Sequence, residues 1–92
     1  MIKVNNITIN SLYNLKFKTP IEFHIDYQDN LWIAENNKLN LYCWGKTFED
    51  VKKSIYDDLL YIRDFIMYEK DEKLSKKARE IKYLLLKIFE QK

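Results

Sequence analysis

Hydrophobic and polar residues alternate along the first half of the chain. Ile7 and Ile9 alternate with polar neighbours, and so do Phe23, Ile25 and Tyr27. A period of two is typical of half-buried β-strands. Strands are therefore predicted around both groups, and a weaker alternation over residues 11–20 favours a further short strand beside the first.

Turn-forming residues separate the predicted strands. Pro20 is expected to close the segment before it, because proline has no N–H to donate to a ladder. Residues 28–30 and 35–38 are rich in Asp and Asn, which tolerate left-handed backbone conformations. Further strands are therefore predicted over residues 31–34 and 39–44.

The spacing of apolar residues changes to that of a helix after Gly45, the only glycine. Thr47, with Asp50 three positions later, is a typical helix N-cap. Apolar residues then recur every three or four positions, at Val51, Ile55, Leu59, Ile62 and Ile66. This stripe predicts one continuous helix over about 48–69 with a single buried face.

A second helix is predicted over about 76–91. Ser75 can cap it, and one face carries Ala78, Ile81, Leu85 and Ile88. The predicted fold class is α+β: a small antiparallel sheet of three to five strands (residues 1–45) packed against the two C-terminal helices. All 92 residues are expected to form a single domain, 1–92.

Composition restricts the class of protein. With 47% hydrophobic and 33% charged residues, the chain is expected to fold and not to be disordered. It contains no apolar run of about 18–20 residues that would cross a membrane. The N-terminus lacks the apolar segment of a signal peptide, and the single cysteine excludes an internal disulfide. The expected location is the cytoplasm, with no membrane association.

Charge is distributed unevenly along the helical half. Residues 48–72 contain eight acidic and four basic residues, whereas residues 73–92 contain two acidic and seven basic residues. An acidic segment is therefore followed by a basic one. The two segments either pair with each other within the chain or present oppositely charged surfaces to partners.

No set of residues predicts catalysis. Strand alternation places His24 and Cys43, the only histidine and cysteine, on opposite faces of the sheet, which disfavours a nucleophile and base pair. Glu22, His24 and Asp26 share one strand face and could converge on a metal, but a solvated polar face is the favoured interpretation. We expect no enzyme activity, no metal site and no cofactor.

Aromatic residues are the stronger candidates for function. Trp32, Tyr42 and Trp44 form a group on the other face of the sheet if the residues that alternate with them face the helices, namely Leu31, Ile33, Leu39, Leu41 and Cys43. Exposed aromatics dominate protein interfaces, and single-stranded nucleic acid stacks on them. The alternative is that the N-terminal strands or a second subunit cover them.

The second helix carries a run of basic residues. The candidate contacts to phosphates or to an acidic partner are Lys76, Lys77, Arg79 and Lys82. The alternative interpretation is a solvated helix face that balances the acidic helix before it.

Three segments resemble the HicB-like antitoxins: FHIDY (23–27), LWIAE (31–35) and LNLYCWGKTFEDV (39–51). That family has a partial ribonuclease-H-like fold and a Gly-x-Thr-x-Glu-(Glu/Asp)-(Ala/Val) signature at the start of a long helix. Gly45, Thr47, Glu49, Asp50 and Val51 match the signature. The resemblance covers about residues 23–60. Family members usually add a further strand after this helix, and often a DNA-binding tail, where this chain has a basic helix.

The resemblance implies a non-catalytic protein that binds and blocks a small toxin, commonly one that cleaves RNA. The first functional hypothesis is therefore an antitoxin-like protein-binding module with a cognate toxin-like partner and a tendency to form homo-oligomers. The alternative hypothesis is a nucleic-acid-binding accessory protein that uses the aromatic group and the basic helix.

Overall fold

The computed structural model describes residues 5–89. They form a four-stranded antiparallel sheet with strands in sequence order, followed by two helices. The strands are β1 (Asn5–Leu12), β2 (Leu15–Gln28), β3 (Leu31–Asn36) and β4 (Leu41–Gly45). The helices are α1 (Phe48–Ile62), which continues into a π-helical turn (Arg63–Met67), and α2 (Lys76–Ile88), with a short 3-10 turn (Asp71–Lys73) between them. The predicted α+β architecture is confirmed, and its outermost residues, 1–4 and 90–91, lie outside the described part of the chain.

A two-residue turn joins β2 to β3. Asp29 and Asn30 have φ angles of 53° and 63°, so both are left-handed, as a type I′ hairpin turn requires. This turn pairs Gln28 with Leu31 and, one step further from the turn, Tyr27 with Trp32. The turn therefore determines which face of the sheet each residue of β3 occupies.

The turn between β3 and β4 lies later than the sequence pattern indicates. Asn36 belongs to β3, where its side-chain amide donates to the carbonyl of Glu22 (2.9 Å) and accepts from the N–H of Leu39 (2.9 Å). The left-handed residue is Asn40, with φ 57°. As a result β4 begins at Leu41, two residues after the predicted start.

Pro20 does not close a strand. β2 runs through it without interruption for 14 residues. The ladder to β1 shifts register between Ile9 and Ser11, opposite the stretch of β2 that contains the proline. Because pairing is irregular there, the missing N–H of Pro20 costs no regular ladder hydrogen bond.

The core lies between one face of the sheet and the two helices. α1 packs on β3 and β4, while α2 packs on β2 and on the π-helical turn. The most deeply buried side chains come from β2, β3, β4, both helices and the β3–β4 turn: Phe23, Ala34, Leu39, Cys43, Val51, Ile55, Leu59 and Leu85. The buried faces predicted for the two helices are thus confirmed at their centres. Both predicted N-caps are also present: the hydroxyl of Thr47 accepts from the backbone N–H of Asp50 (3.0 Å), and that of Ser75 accepts from the backbone N–H of Ala78 (3.1 Å).

The end of the first helix departs from the predicted continuous α-helix. The π-helical turn widens the backbone from Arg63 onward, so Met67 is buried while Ile66 is only partly buried. The guanidinium of Arg63 lies over the ring of Phe89, 5.6 Å from its centre. Phe89 in turn contacts Phe17 edge-to-face, with ring centres 5.7 Å apart. The widened turn therefore closes the core at the end of α2.

Gly45 is required by close packing. A Cβ atom at this position would lie 2.6 Å from both the Cβ of Asp50 and the backbone nitrogen of Val51. Real Cβ atoms do not approach backbone atoms so closely, so only glycine fits between β4 and the first turn of α1. This contact brings α1 directly back over the sheet.

Shortening the central side chain of α1 tests the core. We expect Leu59→Ala, or Ile55→Ala, to lower the free energy of unfolding by about 2–4 kcal/mol, because each leaves a cavity in a fully buried site. Urea denaturation followed by circular dichroism measures the change. The exposed Lys53→Ala is the control and should stay within about 0.5 kcal/mol of the wild type. A loss below about 0.5 kcal/mol for Leu59→Ala would contradict the assignment of this helix face to the core.

A methyl group at Gly45 tests the close approach of α1 to β4. We expect Gly45→Ala to destabilise the fold by about 1–3 kcal/mol, because the added carbon meets backbone atoms that must shift. The same denaturation measurement applies. A variant as stable as the wild type would show that α1 does not start where this geometry places it.

Candidate functional site

The face of the sheet turned away from the helices is open. Directly paired residues in an antiparallel sheet share a face. On the open face this pairing forms two rows across the strands. One contains Asn6, His24, Glu35 and Tyr42, and the other contains Asp26, Ile33 and Trp44. β1 extends the same sheet beside β2, so it does not cover these rows.

Tyr42 and Trp44 form an exposed aromatic pair on β4. Their side chains are 55% and 58% exposed, and their ring centres lie 5.9 Å apart at an angle of 63°. They point away from the core because the alternating residues Leu41 and Cys43 are buried. The structure therefore brings together two of the three predicted aromatic residues and leaves them uncovered by any described part of the chain.

Trp32 does not belong to this group, so its predicted position was wrong. It pairs with Tyr27 and Gly45 and lies on the helix side of the sheet. Its ring centre is 4.9 Å from that of Tyr27 and 5.5 Å from that of Phe48, in the first turn of α1. Trp32 is half-buried and covers the space beside Gly45, which is a structural role.

Ile33 takes the place predicted for Trp32. It pairs with Trp44 on the open face, whereas Ala34 pairs with Cys43 in the core. Residues 31–34 are all apolar, so alternation alone does not reveal their faces. The signal that identifies the correct face is the two-residue Asp29–Asn30 turn, because it places Trp32 opposite Tyr27. We define the sheet-face site as Ile33, Tyr42 and Trp44.

Acidic side chains border the sheet-face site. Glu35 lies directly opposite Tyr42, and Asp26 lies directly opposite Ile33. Asp26 accepts hydrogen bonds from the backbone N–H of Tyr27 (2.8 Å) and the side-chain amide of Gln28 (3.1 Å). At its β4 edge the open face thus carries an apolar, aromatic group, with carboxylates beside it on β2 and β3.

The polar residues of the open face do not converge on a metal. The ring nitrogen Nδ1 of His24 lies 2.8 Å from the side-chain oxygen of Asn6. Among residues 5–89, no group of three or more His, Cys, Asp or Glu side chains is arranged to hold a metal ion. The arrangement fits the favoured interpretation of Glu22, His24 and Asp26 as a solvated polar face.

An open cleft of about 650 Å³ runs from this face around the end of the sheet to α2. Pro20, His24, Glu35, Lys38 and Leu84 are among its lining residues. Cys43 does not line it, since the thiol is buried on the opposite face of the sheet, as strand alternation predicted. The cleft therefore combines a histidine and two carboxylates, Glu22 and Glu35, with no cysteine nucleophile.

The Cys43 thiol joins β4 to α1. It donates a hydrogen bond to a carboxylate oxygen of Asp58 over 3.3 Å. Burial raises the pKa of the thiol from 9.0 to about 12, and the hydrogen bond to Asp58 and its negative charge act in the same direction. A thiol that stays protonated at neutral pH is a poor nucleophile, so Cys43 is a structural residue.

The predicted basic contacts divide into two pairs. Lys76 and Lys77 are exposed on α2, as predicted. Arg79 instead donates to the carbonyl of Leu74 (3.4 Å). Lys82 donates to Asp71 (2.8 Å) and also to a backbone carbonyl of the same connection between the helices.

The basic surface of α2 is therefore smaller than its sequence suggests. The Lys82 ammonium holds the pKa of Asp71 below its usual value, and a hydrogen bond from Tyr83 (2.7 Å) adds to this effect. Arg79 and Lys82 stabilise the connection before α2 and are not positioned as a free phosphate-binding group.

No described helix is long and apolar enough to cross a membrane. Comparison with protein-family models, with curated proteins and with solved structures finds no match to the chain.

The burial of the Cys43 thiol, together with its contact to Asp58, predicts a pH dependence of stability. The thiol has a higher pKa in the folded than in the unfolded chain, so its contribution is complete below about pH 9 and is lost as the pH rises towards 12. We expect the wild type to lose about 1 kcal/mol more than Cys43→Ser between pH 8.5 and pH 10, because serine donates to Asp58 without titrating in this range. Urea denaturation at both pH values measures this difference, and equal losses in the two proteins would contradict a buried, protonated thiol at this position.

Proposed function

We propose that this chain is a non-catalytic protein-binding module, an antitoxin-like inhibitor of a small partner toxin or nuclease. The observation that supports this proposal is the sheet-face site. A tryptophan and a tyrosine, each more than half exposed, stand together on an open strand pair. Large aromatic side chains at the centre of a surface are the residues that most often dominate the binding energy of protein interfaces.

The position of the aromatic pair favours a protein partner. β4 is an edge strand, so its free backbone groups lie next to Tyr42 and Trp44. A partner can therefore contact the aromatic rings and add hydrogen bonds along the strand edge. A surface of this type is open and broad, unlike the enclosed pocket that a small molecule needs.

The charges around the site favour a basic partner. Glu35 and Asp26 lie in the same two rows as the aromatic pair, so a partner surface with lysine or arginine at its border would complement the site. An RNA-cleaving toxin has a basic substrate-binding surface, and the resemblance to HicB-like antitoxins implies such a toxin. The proposed inhibitor would cover that surface.

The alternative, a nucleic-acid-binding accessory protein, has less support. Acidic residues border the aromatic pair, and carboxylates repel phosphates. Two of the four candidate basic residues, Arg79 and Lys82, are engaged by the connection before α2. Lys76 and Lys77 remain exposed for phosphate contacts, but they lie on a helix on the other side of the sheet from Trp44.

Co-purification tests the proposal. A tagged chain is co-expressed with the products of its neighbouring genes and purified at low and at high salt. We expect a stoichiometric protein partner that remains bound at high salt, because an interface centred on aromatic contacts is weakly screened. Trp44→Ala and Tyr42→Ala should each weaken binding by at least about tenfold, with circular dichroism unchanged.

Tyr13→Ala is the matched control, since it removes an equally exposed aromatic residue in the turn between β1 and β2, away from β4. It should bind the partner as the wild type does. Recovery of nucleic acid without protein, lost at high salt, would overturn the proposal and favour the alternative.

A further inference from the structure

A second exposed aromatic surface lies on the first helix. Tyr61, Phe65 and Tyr68 are 62%, 63% and 68% exposed, and the ring centres of Tyr61 and Phe65 lie 4.6 Å apart. They stand on the side of the helix that does not pack on the sheet, since Leu59 and Met67 occupy the core side. We call these three residues the α1 stripe. Three adjacent exposed aromatics are unusual on a helix that contacts only solvent.

The α1 stripe is bordered by negative charge. Asp57 precedes Tyr61 by four positions, and Asp64 follows it by three, so both lie on the same helix face as the stripe. Both are exposed. The surface therefore requires a partner that offers apolar contact together with positive charge.

The outer face of α2 offers this combination. Its exposed residues include Lys76, Lys77, Tyr83 and Lys87. A groove of about 380 Å³ runs along this face, lined by Lys77, Glu80, Tyr83, Leu84 and Lys87 of α2 and by Lys38 of the β3–β4 turn. Lysine side chains bind aromatic rings through both their apolar stems and their ammonium groups. Three lysines outnumber the single glutamate, Glu80, in this groove, so it carries net positive charge beside a tyrosine and a leucine and is suited to receive an aromatic side chain bordered by acids.

These two surfaces do not meet within one chain. α2 contacts the first helix at the π-helical turn, on the core side of both helices. Among residues 5–89, none of the salt bridges joins the acidic residues of α1 to the basic residues of α2. Asp64 forms a salt bridge with the neighbouring Arg63 (3.5 Å). Asp57 and the three lysines of the groove take part in none of the salt bridges among residues 5–89, so these charges are available to another molecule.

We propose that this molecule is a second copy of the chain, with the α1 stripe of each copy seated in the α2 groove of the other. Both helices pack on the same side of the sheet, so two copies can meet helix layer to helix layer. A two-fold axis between the helices then makes the acidic-to-basic contact twice. Such a dimer leaves the sheet-face sites on its two outer surfaces, and it does not depend on the proposed antitoxin function.

Sedimentation velocity tests the dimer with the full-length chain. We expect dimers at about 50 mM NaCl and a dissociation constant at least about tenfold larger at 500 mM, because exposed charges are screened over about 3–5 Å at high salt. Phe65→Lys should weaken association by at least about tenfold, since it places a positive charge against the lysines of the groove. Trp44→Ala should leave association unchanged, because the sheet-face site is not in this contact.

Charge exchange distinguishes this contact from other modes of association. Asp57→Lys/Asp64→Lys and Lys77→Glu/Lys87→Glu should each be monomeric alone, because like charges face each other in both homodimers. An equimolar mixture of the two should form a heterodimer, because both of its contacts are then complementary. All four substitutions are at exposed positions, so each variant should keep the circular dichroism spectrum of the wild type.

A wild-type chain that stays monomeric at about 100 µM in low salt would overturn the proposal. Dimers that persist in Phe65→Lys, or that are lost in Trp44→Ala, would overturn it too, because they would place the contact at another surface such as the edge of β4.

Discussion

The architecture depends on the close contact between Gly45 and the first turn of α1. Only a residue without a Cβ atom lets the backbone of Val51 approach β4 at this distance. Because the chain turns back so sharply, α1 lies over β3 and β4 instead of extending beyond the sheet. Trp32 and Phe48 pack beside the same turn. Because α2 packs on β2, the two helices together cover one face of the sheet. Tyr42 and Trp44 lie on the opposite face and are therefore exposed.

The sequence was sufficient to predict the helices and strands whose apolar residues recur regularly and whose ends carry a recognisable capping or turn residue. Thr47 and Ser75 identify both helix starts because their side chains accept the first free backbone N–H groups. Val51, Ile55 and Leu59 identify the buried helix face. The alternation in β2 and β4 correctly separates the buried Phe23 and Cys43 from the exposed His24 and Trp44.

Prediction failed where the local pattern carries no information about tertiary contacts. All four residues 31–34 are apolar, so the face of Trp32 depends on the register of the hairpin and not on its own neighbours. Pro20 is tolerated because β1 shifts register opposite it, which no residue of β2 reveals. The helix widens at Arg63, where it packs against α2. As a result Met67 is buried in the core at the point where the sequence pattern predicted Ile66. The basic surface of α2 was overestimated for a similar reason. Two of its four candidate residues, Arg79 and Lys82, are held by contacts with the connection before α2 and are not free to bind a partner.

The molecule thus has two exposed aromatic surfaces, one on each side of its core, and each is bordered by acidic residues. We propose that the sheet-face site is open in the free chain and is covered by a protein partner in the complex. Fluorescence quenching by acrylamide in Trp32→Phe, where Trp44 is the only tryptophan, tests this claim most directly. We predict that Trp44 is readily quenched in the free chain and is protected, with its emission shifted to shorter wavelength, once the co-purified partner binds. If Trp44 is already protected from acrylamide in the free chain, the site is not open. If Trp44 is still quenched in the complex, the partner does not cover the site.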